Sequence, residues 1–161
     1  MSILIVGGAG YIGSQTAKRV AQAGLEPVVF DNLVHGHKWA VKWGPFVEGD
    51  LADGALIKDV LEQYAVTAVV HFAAYAYVGE SVVHPRKYFR NNVAGTLNLL
   101  DAMLDTGVRD IVFSSTCATY GEPACIPIDE SHAQKPVNPY GDSKLFAERT
   151  LHWFAAAHGI R

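Results

Sequence analysis

The stretch Ile3-Leu4-Ile5-Val6-Gly7-Gly8-Ala9-Gly10-Tyr11-Ile12-Gly13 constrains this chain more than any other. An apolar run that stops at a glycine cluster reads as a buried strand and its turn. The residues that follow carry Ile12, Ala17, Val20 and Ala21 at helical spacing and stop at Gly24, a left-handed cap. A strand, a glycine turn and a helix point backbone N–H groups at a helix N-terminus with no side chain in the way, which is what a pyrophosphate requires. Read as Gly7-x-x-Gly10-x-x-Gly13 or as Gly8-x-Gly10-x-x-Gly13, the turn fits dinucleotide binding, and the last glycine lets helix and strand pack closely. Three glycines alone also make an ordinary tight turn. The strand before them and the helix after them give the motif its meaning.

The same alternation continues. Pro27–Phe30, Phe46–Glu48, Ala68–Phe72 and Ile111–Ser114 read as further strands. Gly54–Tyr64 reads as a helix. So does Val82–Leu104 after Pro85, with Val93, Leu97, Leu100 and Leu104 as its sheet-packing face, and so does Tyr140–His158. Nearly all-apolar strands separated by helices predict an α/β fold, a doubly wound parallel sheet covered on both faces. The segment Thr116–Pro139, with four prolines, follows the carboxyl end of the fifth strand, where open α/β sheets bind ligands. Gly159 reads as a cap, with Ile160-Arg161 as the first step into another strand. The expected organisation is therefore one dinucleotide-binding Rossmann-like domain over residues 1–161, incomplete, with its later strands and a substrate domain lying beyond it.

Composition narrows the partners. Half of the residues are hydrophobic, which suits a packed core, and 13 Lys plus Arg against 16 Asp plus Glu give a net charge of −3. An acidic balance argues against nucleic acid and anionic membrane surfaces. No apolar stretch approaches the roughly 20 residues of a bilayer span, and the N-terminus lacks a signal peptide's basic region. Two cysteines, Cys117 and Cys125, make a poor disulfide framework and point to a cytoplasmic setting. Cys117 reads as a small buried filler. His35-x-His37 has no further ligands around it in sequence, so no metal site is expected.

Asp31 closes the second strand eighteen residues after Gly13. A carboxylate there can accept both ribose hydroxyls of an adenosine and repels a 2′-phosphate, which favours NAD over NADP. The Asp31-Asn32 pair also suits a turn cap. Asp50, just past the third strand, suits either a bond to the adenine amino group or a cap. Tyr140 and Lys144 stand at i and i+4, on one face of a helix. An ammonium ~5 Å from a phenol oxygen is worth ~3 kcal/mol at an effective dielectric of ~20, or ~2 pK units, which moves a phenol toward neutrality. Tyr140 is thus the candidate general base. Thr116 and Ser115 offer hydroxyls for the same substrate oxygen.

Taken with Gly49-Asp50-Leu51, His71-Phe72-Ala73-Ala74, Val78-Gly79-Glu80-Ser81, Asn91-Asn92-Val93, Ser114-Ser115-Thr116-Cys117-Ala118-Thr119-Tyr120-Gly121 and Asn138-Pro139-Tyr140-Gly141-Asp142-Ser143-Lys144, these residues resemble the extended short-chain dehydrogenase/reductase superfamily. More narrowly they resemble its UDP-glucose (UDP-galactose) 4-epimerases, over the whole chain. The resemblance implies NAD as cofactor, with Gly7, Gly10, Tyr11 and Ile12 on the pyrophosphate and Gly13 closing the helix–strand contact. It puts Asp31 and Asn32 on the adenine ribose and Asp50 with Leu51 on the adenine. Phe72, Ala73 and Ala74 line the cleft, and Asn91 lies near the pyrophosphate and nicotinamide ribose. Ser114, Tyr140 and Lys144 complete the cofactor site, and Tyr140, Lys144 and Thr116 are the catalytic residues.

The reaction implied is 4-epimerisation of a UDP-hexose through a transient 4-keto sugar, in a homodimer whose face includes part of the last helix. Some members carry a lysine just before Val-Gly-Glu-Ser where this chain has Ala76 and Tyr77, so a basic contact to the cofactor phosphates is missing. A 4,6-dehydratase needs an acid and a base after the hydroxyl residue, and Cys117-Ala118 supplies neither. A UDP-pentose (xylose/arabinose) epimerase and a non-catalytic NAD-binding module remain as alternatives.

Overall fold

A computed structural model describes residues 1–161. Five strands, β1 (Ser2–Val6), β2 (Glu26–Asp31), β3 (Phe46–Glu48), β4 (Val66–His71) and β5 (Asp110–Phe113), form one all-parallel sheet in the order β3-β2-β1-β4-β5. The chain winds outward from β1 to β3, then returns to the other side of β1 for β4. The loops after β1 and β4 therefore diverge at the carboxyl edge, and the crevice between them is where such sheets take ligands.

Six helices accompany the strands, five between them and one after β5: α1 (Tyr11–Gln22), α2 (Gly54–Gln63), α3 (Val78–Val83), α4 (Pro85–Tyr88), α5 (Gly95–Thr106) and α6 (Pro139–His158). No helix is long and apolar enough to cross a membrane. Asp53 caps α2 by accepting from Leu56 N–H at 3.0 Å, and Asn138 caps α6 by accepting from Gly141 N–H at 2.9 Å, with Pro139 following at the first helical position. Left-handed Gly24, Gly107 and Gly159 terminate α1, α5 and α6.

The alternation of side chains along the strands divides the core. Leu4, Val6, Val28, Phe30 and Val69 face Ile57, Val60 and Leu61 of α2 and Leu99, Leu100 and Met103 of α5, with Leu151 and Phe154 of α6 packed at the margin. The opposite face gathers only Ile3, Ile5 and Val29 around Ala17 of α1. That face is covered over β1 and β2 but not over β5, where Val112 is 65% exposed. Coverage of both faces, expected from the apolar strands, thus holds for one half of the second face. The backbone of Arg161 runs along the outer edge of β5, donating to Arg109 O at 2.8 Å and accepting from Ile111 N–H at 2.9 Å, as the strand-like reading of Ile160-Arg161 anticipates.

Between Pro85 and Thr106 the helix is interrupted by a π-helical turn, Phe89–Ala94. The buried stripe here is Asn92, Thr96, Leu99, Leu100 and Met103, one position away from the expected Val93, Leu97, Leu100 and Leu104. Only Leu100 of the expected set is fully buried. Apolar periodicity passes over Asn92 and Thr96 because they are polar. They are buried because every hydrogen bond they need is supplied, as described below.

Candidate active site

At the carboxyl edge lies a cavity of about 560 Å³. Its floor is the glycine turn after β1. Gly7 has φ +82° and lies so close to the β4 loop that a Cβ there would meet Ala73 N at 2.6 Å. A Cβ on Gly13 would run into the carbonyl oxygen of Gly7 and approach Gly8 Cα at 2.7 Å, so the helix and its turn can only pack this way with glycine. The N-terminus of α1 has no side-chain cap and no acidic residue in its first turn, and Tyr11 is 87% exposed. An uncapped helix end with a stripped backbone, opening into a cavity, fits a pyrophosphate.

One wall comes from the loop after β2. Asp31, only 8% exposed, lines the cavity, but both its oxygens are in use: Oδ2 accepts from Ala9 N–H at 2.9 Å and Oδ1 from Leu33 N–H at 2.8 Å. The carboxylate is both a turn cap and a cavity residue, so the two readings of it are compatible. Its second lone pairs remain for a ligand. Asn32 also lines the cavity and donates through Nδ2 to Asp50 Oδ2 at 2.7 Å. Asp50 itself lies outside the lining. Its Oδ1 accepts from Ala52 N–H at 2.8 Å, the capping role, while Gly49 and Leu51 on either side face the cavity.

The opposite wall follows β4 and β5. Phe72, Ala73, Ala74, Asn91, Ser114, Tyr140 and Lys144 all line it, as expected. Lys144 is 3% exposed. Its Nζ donates to Ser114 O at 2.8 Å and lies 4.4 Å above the ring of Phe113. Burial pulls its pKa down to about 8, with the charge of Glu148 working against the shift. Thr116 is not among the lining residues. Its Oγ1 accepts from Ala118 N–H at 3.2 Å and caps a short 3-10 turn, leaving Ser115 as the nearer hydroxyl in the lining, where it donates to Glu148. Cys117, expected as a buried filler, is exposed because that same turn carries it outward.

Asn92 ties the two sides of the site together. Fully enclosed, it accepts through Oδ1 from Tyr75 N–H and from Asn91 Nδ2, each at 2.9 Å. Its Nδ2 donates to Tyr75 O and to Ser143 Oγ, each at 3.0 Å, and Ser143 Oγ donates to Tyr140 O at 2.7 Å. One side chain thus fixes the loop after β4 against the first turn of α6, where Tyr140 sits. Thr96 Oγ1 donates to Asn92 O at 2.7 Å, so its proton is spent and His71 Nε2, 3.0 Å away, must be the donor in that contact. His71 is consequently the Nε2–H tautomer, its Nδ1 buried without a partner. Burial first, and then the charge of Lys144, push its pKa down to about 3, so it is neutral.

Val6, Phe30, Val34, His35, Gly36, Gly49, Tyr75, Ala76, Tyr77 and Ser115 line the cavity without having been predicted as cofactor contacts. Most are loop neighbours of predicted residues. His35 belongs to the His35-x-His37 pair, but the two histidines diverge: His35 meets Tyr75 and Tyr77 edge-to-face, whereas His37 stacks on Trp39.

A parallel sheet ordered 3-2-1-4-5, with a glycine turn, a strand-end acid and a Tyr-x-x-x-Lys pair on one cavity, defines a dinucleotide-binding fold of the short-chain dehydrogenase/reductase type. The chain belongs to the NAD dependent epimerase/dehydratase family, whose model matches residues 3–161. It is similar to the UDP-glucose 4-epimerase of Rhizobium meliloti (strain 1021), with 50% identity over 160 residues, 99% of this chain and 49% of the relative. Among solved structures, UDP-glucose 4-epimerase from Brucella ovis in complex with NAD superposes with a TM-score of 0.98 at 57% identity, covering 99% of this chain and 49% of that one. The enzyme from Thermotoga maritima with UDP-glucose gives 0.95 at 33% identity, covering 99% and 53%. The chain spans about half the length of the curated relatives it matches.

Proposed function

We propose that this chain is the NAD-binding domain of a UDP-glucose 4-epimerase, an isomerase that interconverts UDP-glucose and UDP-galactose. The observation that carries the reading is that Tyr140 and Lys144 share one cavity with the glycine turn and Asp31. The turn after β1 and the open end of α1 receive the pyrophosphate, and Asp31 with Asn32 takes the adenine ribose. Leu51 and Gly49 contact the adenine, with Asp50 holding Asn32 in place. NAD held there would supply reversible hydride acceptance for the sugar carbon that carries the 4-hydroxyl.

The chain's own part is positional and acid–base. Tyr140 takes the proton of the sugar 4-hydroxyl and later gives it back. Asn92 and Ser143 hold the turn that carries Tyr140. Lys144, anchored on the Ser114 carbonyl, would place a positive charge at the nicotinamide end of the cofactor site. Ser115, the hydroxyl next to Thr116 that faces the cavity, is the one placed toward the sugar oxygen, Thr116 itself being committed to its turn. The UDP-hexose names of the relatives do not favour the UDP-pentose alternative. The homodimer belongs to the same proposal, with Phe146 and Trp153 of α6 as exposed apolar surface available to it. So does the cytoplasmic setting, with both cysteines free.

The full-length protein, purified and denatured, should release NAD and, while native, convert UDP-galactose to UDP-glucose without added cofactor. Sustained conversion by protein that contains and needs no NAD would refute the proposal.

A further inference from the structure

Of the side chains lining the cavity, only Lys144 and His35 can carry a positive charge, and Asp31 is the one carboxylate. Lys144 is buried and committed to the Ser114 carbonyl. A dinucleotide brings two negative phosphates into this space. Beside the backbone N–H groups of the glycine turn, the one exposed side chain on its lining able to answer them with a positive charge is His35.

The placement of that imidazole is defined on two sides. Its ring lies 5.5 Å from that of Tyr75 and 5.4 Å from that of Tyr77, at interplanar angles of 90° and 88°. These tyrosines flank Ala76, so His35 reaches from the loop after β2 to the loop after β4, beside a position with no side-chain charge of its own. The wall it reaches is firmly held. Asn92 binds Tyr75 through both its backbone N–H and its carbonyl, Tyr88 Oη donates to Tyr77 O at 2.7 Å, and Lys87 Nζ sits 4.1 Å above the ring of Tyr75. Lys87 does not serve the cavity, because it is outside the lining and paired with Glu80 at 2.6 Å.

We propose that His35 is a ligand for the anionic diphosphate of the bound dinucleotide, bridging the two loops over the cavity. This rests on the NAD reading above. An imidazolium binds a phosphate more tightly than an imidazole, so the contribution of His35 to NAD affinity is larger in acid than in base. Other titratable groups around it are Tyr75 and Tyr77 in contact, Lys87 and Glu80 behind them, Asp31 and His37 on its own loop, and Lys144 across the cavity. Lys144 loses its proton near pH 8 and adds a slope of its own, so the comparison between variants carries the test.

The experiment measures NAD affinity of the full-length, cofactor-stripped protein from pH 5.5 to 8.5 for wild type, His35→Gln and His35→Lys. The wild type should exceed His35→Gln by about tenfold at pH 5.5, the effect of one partly hydrated ion pair, with the gap closing by pH 8.5. His35→Lys should keep tight binding across the range. In NMR spectra, NAD should shift the ring resonances of His35. Equal affinity of wild type and His35→Gln at every pH, or His35 ring resonances unmoved by NAD, overturns the proposal while leaving the NAD site intact. Failure of all three proteins to bind NAD overturns the underlying reading as well.

Discussion

Replacing Lys144 with methionine separates what the buried ammonium does for function from what it costs the fold. Methionine keeps the apolar stem and removes the charge. Burial lowers the Lys144 pKa from 10.5 to about 8, and the residue is 3% exposed, so little solvent screening discounts the effect. At about 1.4 kcal/mol per pK unit, keeping this group charged costs the native state about 3 kcal/mol near neutrality. Unfolded chains hold the proton up to about pH 10.5, whereas the folded chain releases it near pH 8. Below pH 8 the full cost stands. It shrinks as pH rises through 8 and is gone above 10.5. Wild-type stability should therefore gain about 2.5 kcal/mol between pH 7 and pH 10 from this residue, and Lys144→Met should lack that gain. Loss of the bond to Ser114 O lowers the variant at both pH values alike. Tyr88, whose pKa is raised to about 12 chiefly by burial, contributes equally to both proteins. Urea unfolding at the two pH values, with the slope m fixed by the same buried surface, reads the difference. Parallel pH profiles would show that Lys144 is not desolvated in the native state, and the description of its site would be wrong.

His71 predicts the mirror case in acid. Its folded pKa of about 3 lies below the ordinary 6.5, so the stability it leaves in place above pH 6.5 is lost as pH falls toward 3. Wild type should lose about 2.5 kcal/mol between pH 7 and 4.5 that His71→Leu does not lose, measured by denaturant unfolding. Gly13→Ala drives a methyl into the Gly7 carbonyl and should cost about 1–3 kcal/mol by thermal unfolding, with weakened NAD binding. A Gly13→Ala protein with wild-type affinity and stability would mean that the turn yields. Asp31→Ala leaves the enclosed Ala9 N–H without its acceptor and should cost about 1–3 kcal/mol. The same variant should narrow the preference for NAD over NADP in binding titrations, and an unchanged preference would remove the 2′-phosphate argument.

Features that depend on local backbone chemistry were legible from the residues alone. The glycine turn, the apolar strands and the Tyr140/Lys144 spacing all place as expected, because each is set by steric limits or by one helical turn. What escaped was polar chemistry inside the core. Asn92 and Thr96 displaced the expected stripe of the Pro85–Thr106 helix, since no apolar period announces a hydrogen-bonded asparagine at a π turn. The destination of the Lys144 ammonium was also unreadable. Spacing gave its proximity to Tyr140, but the carbonyl it binds comes from Ser114, thirty residues away in sequence. Asp50 and Thr116 show a related limit: either residue can cap a turn or face a ligand, and only the three-dimensional arrangement displays the turn each one caps. His35 was visible only as half of a histidine pair, because its partners, Tyr75 and Tyr77, come from a different loop.

The role of the phenol is tested most directly by Tyr140→Phe in the full-length protein, with cofactor content and turnover of UDP-galactose measured on the same sample. The ring keeps its packing against Tyr88 and the backbone bond to Ser143, so NAD should stay bound. Turnover should fall by about 10²–10⁴-fold, the ordinary worth of a positioned acid–base group. A variant that holds NAD and still epimerises at the wild-type rate would show that another group moves the proton.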